Sequence, residues 1–170
     1  IDLHQNILIL QKADKRGQPV KPIDFLQGAQ AIMSTPIKLI DNTIVVPGAI
    51  AGKKMSFCLD TGAETNVLNS NLPQKVLSTF TLHKQSVLLG TGGARVEVLA
   101  GKLQEITIGT MPCKNMSAVI SNLESLGEAY GVPIQGMIGY DFLIKGIISI
   151  NFVSKQLSVY PFLDAQRWKA

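Results

Sequence analysis

The sequence predicts an all-β barrel built as one domain, and three observations carry that reading. Short apolar runs rich in Ile, Val and Leu recur at close spacing from residue 37 onward, with Gly, Asn or Asp turn signals between them. The 170 residues are 46% hydrophobic and 16% charged, a composition that fills one core and excludes a disordered chain. The longest apolar clusters are broken by Gly, Pro or Lys. None approaches the roughly 18 to 20 residues that cross a bilayer, so no membrane span is expected.

Taken in order, residues 1–11 alternate irregularly between apolar and polar, and residues 12–22 hold charges, one Gly and two Pro, as a loop does. Residues 24–33 suit a short helix that Gly28 weakens. Residues 1–35 therefore read as an extension of unknown role, residues 36–161 as the folded domain, and residues 162–170 as a tail. Strands over 37–40 and 44–46 flank an Asp41-Asn42-Thr43 turn, and Ala51-Gly52-Lys53 turns the chain into the strand Met55-Ser56-Phe57-Cys58-Leu59. Residues 87–98 read as two strands around the glycine-rich tip Gly90-Thr91-Gly92-Gly93. Strands over 103–108 and 115–120 follow, separated by residues 109–114. Ser121-Asn122-Leu123-Glu124 is a capping-box pattern that opens a short helix over 123–130. Residues 147–152, 153–155 and 156–160 have the pattern of a terminal hairpin.

The chemistry concentrates in Asp60-Thr61-Gly62-Ala63, set at the end of the apolar run 55–59. The arrangement presents a carboxylate at the mouth of a buried strand. Thr61 supplies a hydroxyl beside the acid, and Gly62 lets backbone approach closely. Asp-Thr-Gly is also an ordinary strand-to-turn signal, so the tripeptide alone carries little. No second Asp-Thr-Gly or Asp-Ser-Gly exists in the chain, and aspartyl chemistry needs two carboxylates sharing one proton. The second aspartate must come from another copy of this chain.

The flanking residues raise the signal. Asp60-Thr61-Gly62-Ala63-Glu64-Thr65-Asn66-Val67-Leu68 resembles the active-site segment of the retroviral proteases, the retropepsin family. The glycine-tipped hairpin of residues 87–98 looks like that family's flap, which folds down over bound peptide. Met137-Ile138-Gly139-Tyr140-Asp141-Phe142-Leu143 resembles its later strand and following short helix. The resemblance spans about residues 37–160 with the three motifs in order.

The resemblance implies a retropepsin-like acid protease barrel with a flap hairpin, one or two short helices and a C-terminal hairpin. It implies a homodimeric aspartic endopeptidase with catalytic Asp60, Thr61 and Gly62, acting on a peptide or protein substrate without a cofactor or metal. Thr61 would hold the two active-site loops together across the dimer axis, and Gly62 would offer a backbone acceptor. Ala63 and Glu64 would contact substrate backbone, the tip Gly90, Thr91, Gly92 and Gly93 would fold over it, Leu88, Leu89 and Val96 would shape its pockets, and Ile138 would wall a subsite. Met137 is a second candidate for that wall, and core packing is an alternative for at least one of the two. Glu64 stands where the family usually has Asp. Asn66 is the sharper departure, because the family usually has a buried Ser or Thr hydroxyl there. The viral chains also end near the equivalent of Phe152 and interleave their ends, so the hairpin of residues 147–160 implies a dimer contact built differently.

The formal charge of +4 rests on Lys and Arg scattered singly or in pairs, without aromatic interleaving, so no nucleic-acid partner is expected. Cys58 and Cys113 have neither metal nor redox spacing. Cys58 shares a strand face with Ser56 and Asp60 and is expected to pack near the site. His4 and His83 have no ligand-like neighbours. If a signal peptide was removed before Ile1, the protein works outside the cytoplasm. Two rival readings stay open: a dimer that binds peptide or protein without cutting, and a protease limited to its own precursor.

Overall fold

Eleven strands and three short helices lie among the residues described by the computed structural model, which are 1–18, 20, 26, 28–89, 95–129, 131 and 133–163. In chain order they are β1 (Met33–Pro36), β2 (Lys38–Ile40), β3 (Thr43–Ile50), β4 (Lys53–Leu59), β5 (Asn66–Asn69), α1 (Gln74–Leu77), β6 (Phe80–Leu89) and β7 (Arg95–Ile108). β8 (Met111–Ser121), α2 (Glu124–Ala129), β9 (Gly136–Ile138), α3 (Tyr140–Leu143), β10 (Ile147–Asn151) and β11 (Gln156–Tyr160) complete it.

Eight strands form one sheet in the order β2-β3-β4-β9-β5-β8-β7-β6, and an extra β3–β7 pairing closes six of them into a ring. Gly48 makes that closure possible, since a Cβ there would run into the Thr107 carbonyl oxygen of β7 and crowd the Phe57 ring. β3 and β4 are joined by a two-residue link, where Ala51 and Gly52 take φ of 51° and 76° and Ile50 pairs with Lys53. Positive φ at both central residues matches the right-handed twist of the flanking strands.

The ring buries Phe57, Phe142, Ile50, Leu103, Ile108 and Ile138, each at most 2% exposed. Along β4, Met55, Phe57 and Leu59 point into this core, whereas Cys58 points to the other face and packs with Val45 and Ile134. Period-two alternation thus puts Cys58 and Asp60 on the same side of the strand.

A second sheet has the order β1-β11-β10. The terminal hairpin forms as the sequence indicates, with Ile147 opposite Tyr160 and Asn151 opposite Gln156. It is no appendage, because β11 is the central strand and its Leu157 and Val159 are fully buried. β1 pairs along the other side of β11, from Met33 opposite Val159 to Pro36 opposite Gln156. The boundary expected between residues 35 and 36 therefore falls inside β1. The helix expected over 24–33 lies partly outside the described residues, and its last position, Met33, begins β1.

Two smaller differences have local causes. The segment 109–114 expected as a connection is a turn of Gly109 and Thr110, since β8 already begins at Met111 opposite Ile108. At the start of α2 the Asn122 Oδ1 accepts the Glu124 N–H at 2.8 Å, while Ser121 is the last residue of β8, so asparagine supplies the capping oxygen. Among the described residues no helix is long and apolar enough to cross a membrane.

Candidate active site

The site is a consequence of strand order. β9 lies between β4 and β5, parallel to the first and antiparallel to the second, with Leu59 opposite Ile138 and Val67 opposite Met137. A chain leaving β4 must therefore arch over the end of β9 to enter β5, and residues 60–65 are that arch. The Asp60 N–H donates to the Ile138 carbonyl at 3.0 Å, and the Tyr140 N–H donates to the Ala63 carbonyl at 2.9 Å. Gly139 sits between these two bonds. A Cβ at this position would strike the Ala63 carbonyl oxygen, so the loop rests directly on glycine backbone.

Within the arch the Gly62 N–H donates to Asp60 Oδ1 at 2.9 Å, and the Ala63 N–H donates to the Asp60 carbonyl at 3.3 Å. Asp60 and Ala63 are half-buried, while Thr61, Gly62 and Glu64 are exposed. One carboxylate oxygen is thus fixed by backbone, and Oδ2 has no hydrogen-bond partner among the described residues. The structure brings Asp60, Thr61, Gly62, Ala63 and Glu64 together in one loop.

Asn66, at the foot of the arch, is 4% exposed. Its Oδ1 accepts the Gly139 N–H at 2.9 Å, and its Nδ2 donates to the Ser117 carbonyl at 2.7 Å. The Ser117 N–H in turn donates to Asp141 Oδ2 at 2.6 Å, tying β8 to α3. Two polar residues not singled out in the sequence support the same region. Asp141 is one, and Gln135 is the other: its Oε1 accepts the Ser56 N–H at 2.7 Å and its own N–H donates to the Ser56 carbonyl at 3.0 Å. Their only advance signal was a polar side chain beside an apolar strand.

One expected substrate contact is corrected. The Ile138 side chain is 1% exposed and belongs to the main core, because the residue opposite Leu59 in β9 shares its inward face. Its contribution to the loop is its carbonyl. Met137 points to the other face, packed against Val45, Cys58 and Ile134.

The long hairpin of β6 and β7 is present up to the pair Leu89 opposite Arg95, with a bulge at His83 that bends it. The flap-tip residues Gly90, Thr91, Gly92 and Gly93 lie outside the described residues. Leu82, Val87 and Leu99 on the hairpin are 54%, 52% and 39% exposed. Isolated apolar residues on a surface are ordinary, but two leucines and a valine on one hairpin leave apolar area for something to cover.

Cys58 and Cys113 are both free and buried. Burial pushes the Cys58 thiol up to about 11, and the neighbouring Asp60 charge adds to the effect; burial also raises Cys113. Among the described residues no group of three His, Cys, Asp or Glu side chains is placed to hold a metal ion.

On the side of the arch, a groove of about 830 Å³ runs from Thr61 between residues 7–13 and strand β10. Leu8, Leu10 and Phe152 on its lining are largely exposed. At one end the backbone of Ile1 bonds β10 twice: the Ile148 N–H donates to the Ile1 carbonyl at 2.8 Å, and the Ile1 nitrogen donates to the Ile148 carbonyl at 2.7 Å.

Comparison with known proteins agrees with this geometry. A family model described as aspartyl protease matches residues 46–142, from within β3 through the arch and the long hairpin into α3. Among solved structures, the crystal structure of a retropepsin-like aspartic protease from Rickettsia conorii superposes with a TM-score of 0.51 at 16% identity. The match covers 76% of this chain and 91% of that one, and it is a likeness of fold. No curated protein matches the chain.

Proposed function

Because this chain belongs to the aspartyl protease family and has the retropepsin-like fold, we propose that it is an aspartic endopeptidase whose working unit is a dimer, with Asp60 of each copy forming the dyad. The observation that carries the reading is the arch itself. It offers one half-buried carboxylate per chain, with Oδ1 held by the Gly62 N–H and Oδ2 free to face a partner.

Two carboxyls a few ångströms apart do not both ionise, so the pair holds one proton. The ionised member takes a proton from a water molecule, which attacks the scissile carbonyl. The protonated member hydrogen-bonds the developing oxyanion, and the leaving amine is then protonated. The exposed Thr61 joins the two loops across the axis, the Gly62 carbonyl accepts from substrate backbone, and Ala63 and Glu64 line the bound strand. Leu89 and the tip Gly90, Thr91, Gly92 and Gly93 close over an extended peptide that pairs as an added strand.

The partner copy docks along the side of the arch where the groove from Thr61 meets β10. Alternate residues of an edge strand turn their backbone groups outward. Ile1 takes those of Ile148, which leaves those of Ile150 for a second chain. In this reading the protease domain begins with β1 rather than at residue 36, and the residues before β1 are an added segment.

Asp60→Asn tests the proposal. The amide is isosteric but cannot share the proton, so peptide cleavage is lost while folding and dimerisation persist. Turnover near the wild-type rate in that variant refutes the mechanism.

A further inference from the structure

We propose that the Asn66 carboxamide is a positioning residue for catalysis: by clamping Gly139 beneath the loop it fixes the separation of the two Asp60 carboxyls. The inference rests on the dyad reading above and deepens it.

Three consecutive residues carry the catalytic arch. The Ile138 carbonyl holds the Asp60 N–H, the Gly139 N–H is held by Asn66 Oδ1, and the Tyr140 N–H holds the Ala63 carbonyl. Asn66 is the side chain that grips the middle of this tripeptide, and its other end is anchored to the Ser117 carbonyl of β8. A displacement of Gly139 moves both attachment points of the loop at once, and no side chain at 139 can take up slack, because the Ala63 carbonyl oxygen occupies that space.

A carboxamide suits this task for a stereochemical reason. The side chain of Asn66, 4% exposed, must satisfy the N–H of Gly139 between β9 and α3 and a carbonyl on β8. The amide offers an acceptor and a donor on separate atoms, so it spans two partners. A hydroxyl must serve both from a single oxygen. An aliphatic isostere leaves the buried Gly139 N–H without its acceptor and removes the bond to the Ser117 carbonyl.

The consequence for the dyad is electrostatic. Two carboxyls sharing a proton titrate in two steps whose gap grows as they approach. A loosened loop lets them part, so the gap narrows and the rate falls together. The other titratable groups near the site are Cys58 on β4, Glu64 on the arch, and Tyr140 and Asp141 on α3, and Asn66 variants leave all of them in place.

The test compares the wild type with Asn66→Leu, which removes both bonds, and Asn66→Thr, which keeps an acceptor for the Gly139 N–H. For each, kcat and KM are measured on a peptide at enzyme concentrations that keep the dimer formed. The Asp60 carboxyl is also titrated by its carbon-13 shift. Asn66→Leu is expected to lower kcat about a hundredfold with KM nearly unchanged, and to bring the two titration steps of the pair closer together. Asn66→Thr should recover part of both and stay short of the wild type, because it keeps the bond to Gly139 and loses the amide's anchor on Ser117. Two titration steps unmoved in the variants overturn the positioning role even where stability falls. If Asn66→Leu does not fold, Asn66→Thr alone decides, since a gap and a kcat both at wild-type values overturn the inference. A wild type with two-step titration but no cleavage refutes the protease reading and leaves this one standing, and a single-step wild type overturns both.

Discussion

At the scale of single residues, the thiol beside Asp60 gives a pH signature. Cys58 is pushed up to about 11 by burial and by the Asp60 charge, so the folded state favours the protonated thiol. The contribution is complete below the ordinary thiol value near 8.5 and is lost as pH rises through about 11. Stability to denaturant should fall between roughly pH 9 and 11, and Cys58→Ser should flatten that fall. An unchanged slope in the variant contradicts the assignment. The same scale shows what was legible in the sequence. The turn at Asp60, Thr61 and Gly62 after an apolar strand could be read because the motif is local. The inward turn of Ile138 could not, because a three-residue strand does not reveal which face its odd positions take until its neighbours β4 and β5 are known. Asn66 looked like a flaw for a related reason. Its partners, Gly139 and Ser117, are distant in sequence, and their nearness is created by the strand order. With both of its polar ends satisfied, Asn66 no longer favours the reading in which the fold binds without cutting.

Among the elements, the tightest links were the most legible. Ala51-Gly52 announced its hairpin, yet Ala51 holds φ of 51°, a conformation costing an L-residue roughly 1–2 kcal/mol. Ala51→Gly should therefore stabilise the protein by about 1 kcal/mol net of glycine's chain entropy, a rise of about 2–4 °C in Tm for a chain of this size. A lower Tm in thermal melts contradicts the strain assigned to this turn. The strand β1 was hidden for the opposite reason. Met33-Ser34-Thr35-Pro36 has neither length nor a turn beside it, and it becomes a strand only because β11 offers an edge from Val159 to Gln156. Long-range pairing overrides weak local preference in β1, as it does wherever β-propensity is read from neighbours alone.

For the whole molecule, the proposed dimer would share the edge of β10 with the N-terminal segment. Ile1 occupies the outward backbone groups of Ile148, while Ile1 and Leu3 also pack against the core. Removing residues 1–12 should lower the Tm of the subunit and at the same time tighten self-association, because the freed edge of β10 can pair along its full length. Sedimentation over a range of concentrations reads the second effect. A dissociation constant that does not move, with the subunit folded, places the dimer contact away from β10.

The central claim is that each active site takes one Asp60 from each of two chains. Mixing the wild type with a growing excess of Asp60→Asn, after subunit exchange has been verified with labelled chains, tests it most directly. If the dyad is shared, activity per wild-type chain falls toward zero as heterodimers replace wild-type pairs. Activity per wild-type chain that stays constant through complete exchange means that each chain carries its own full site, and the shared dyad is then refuted.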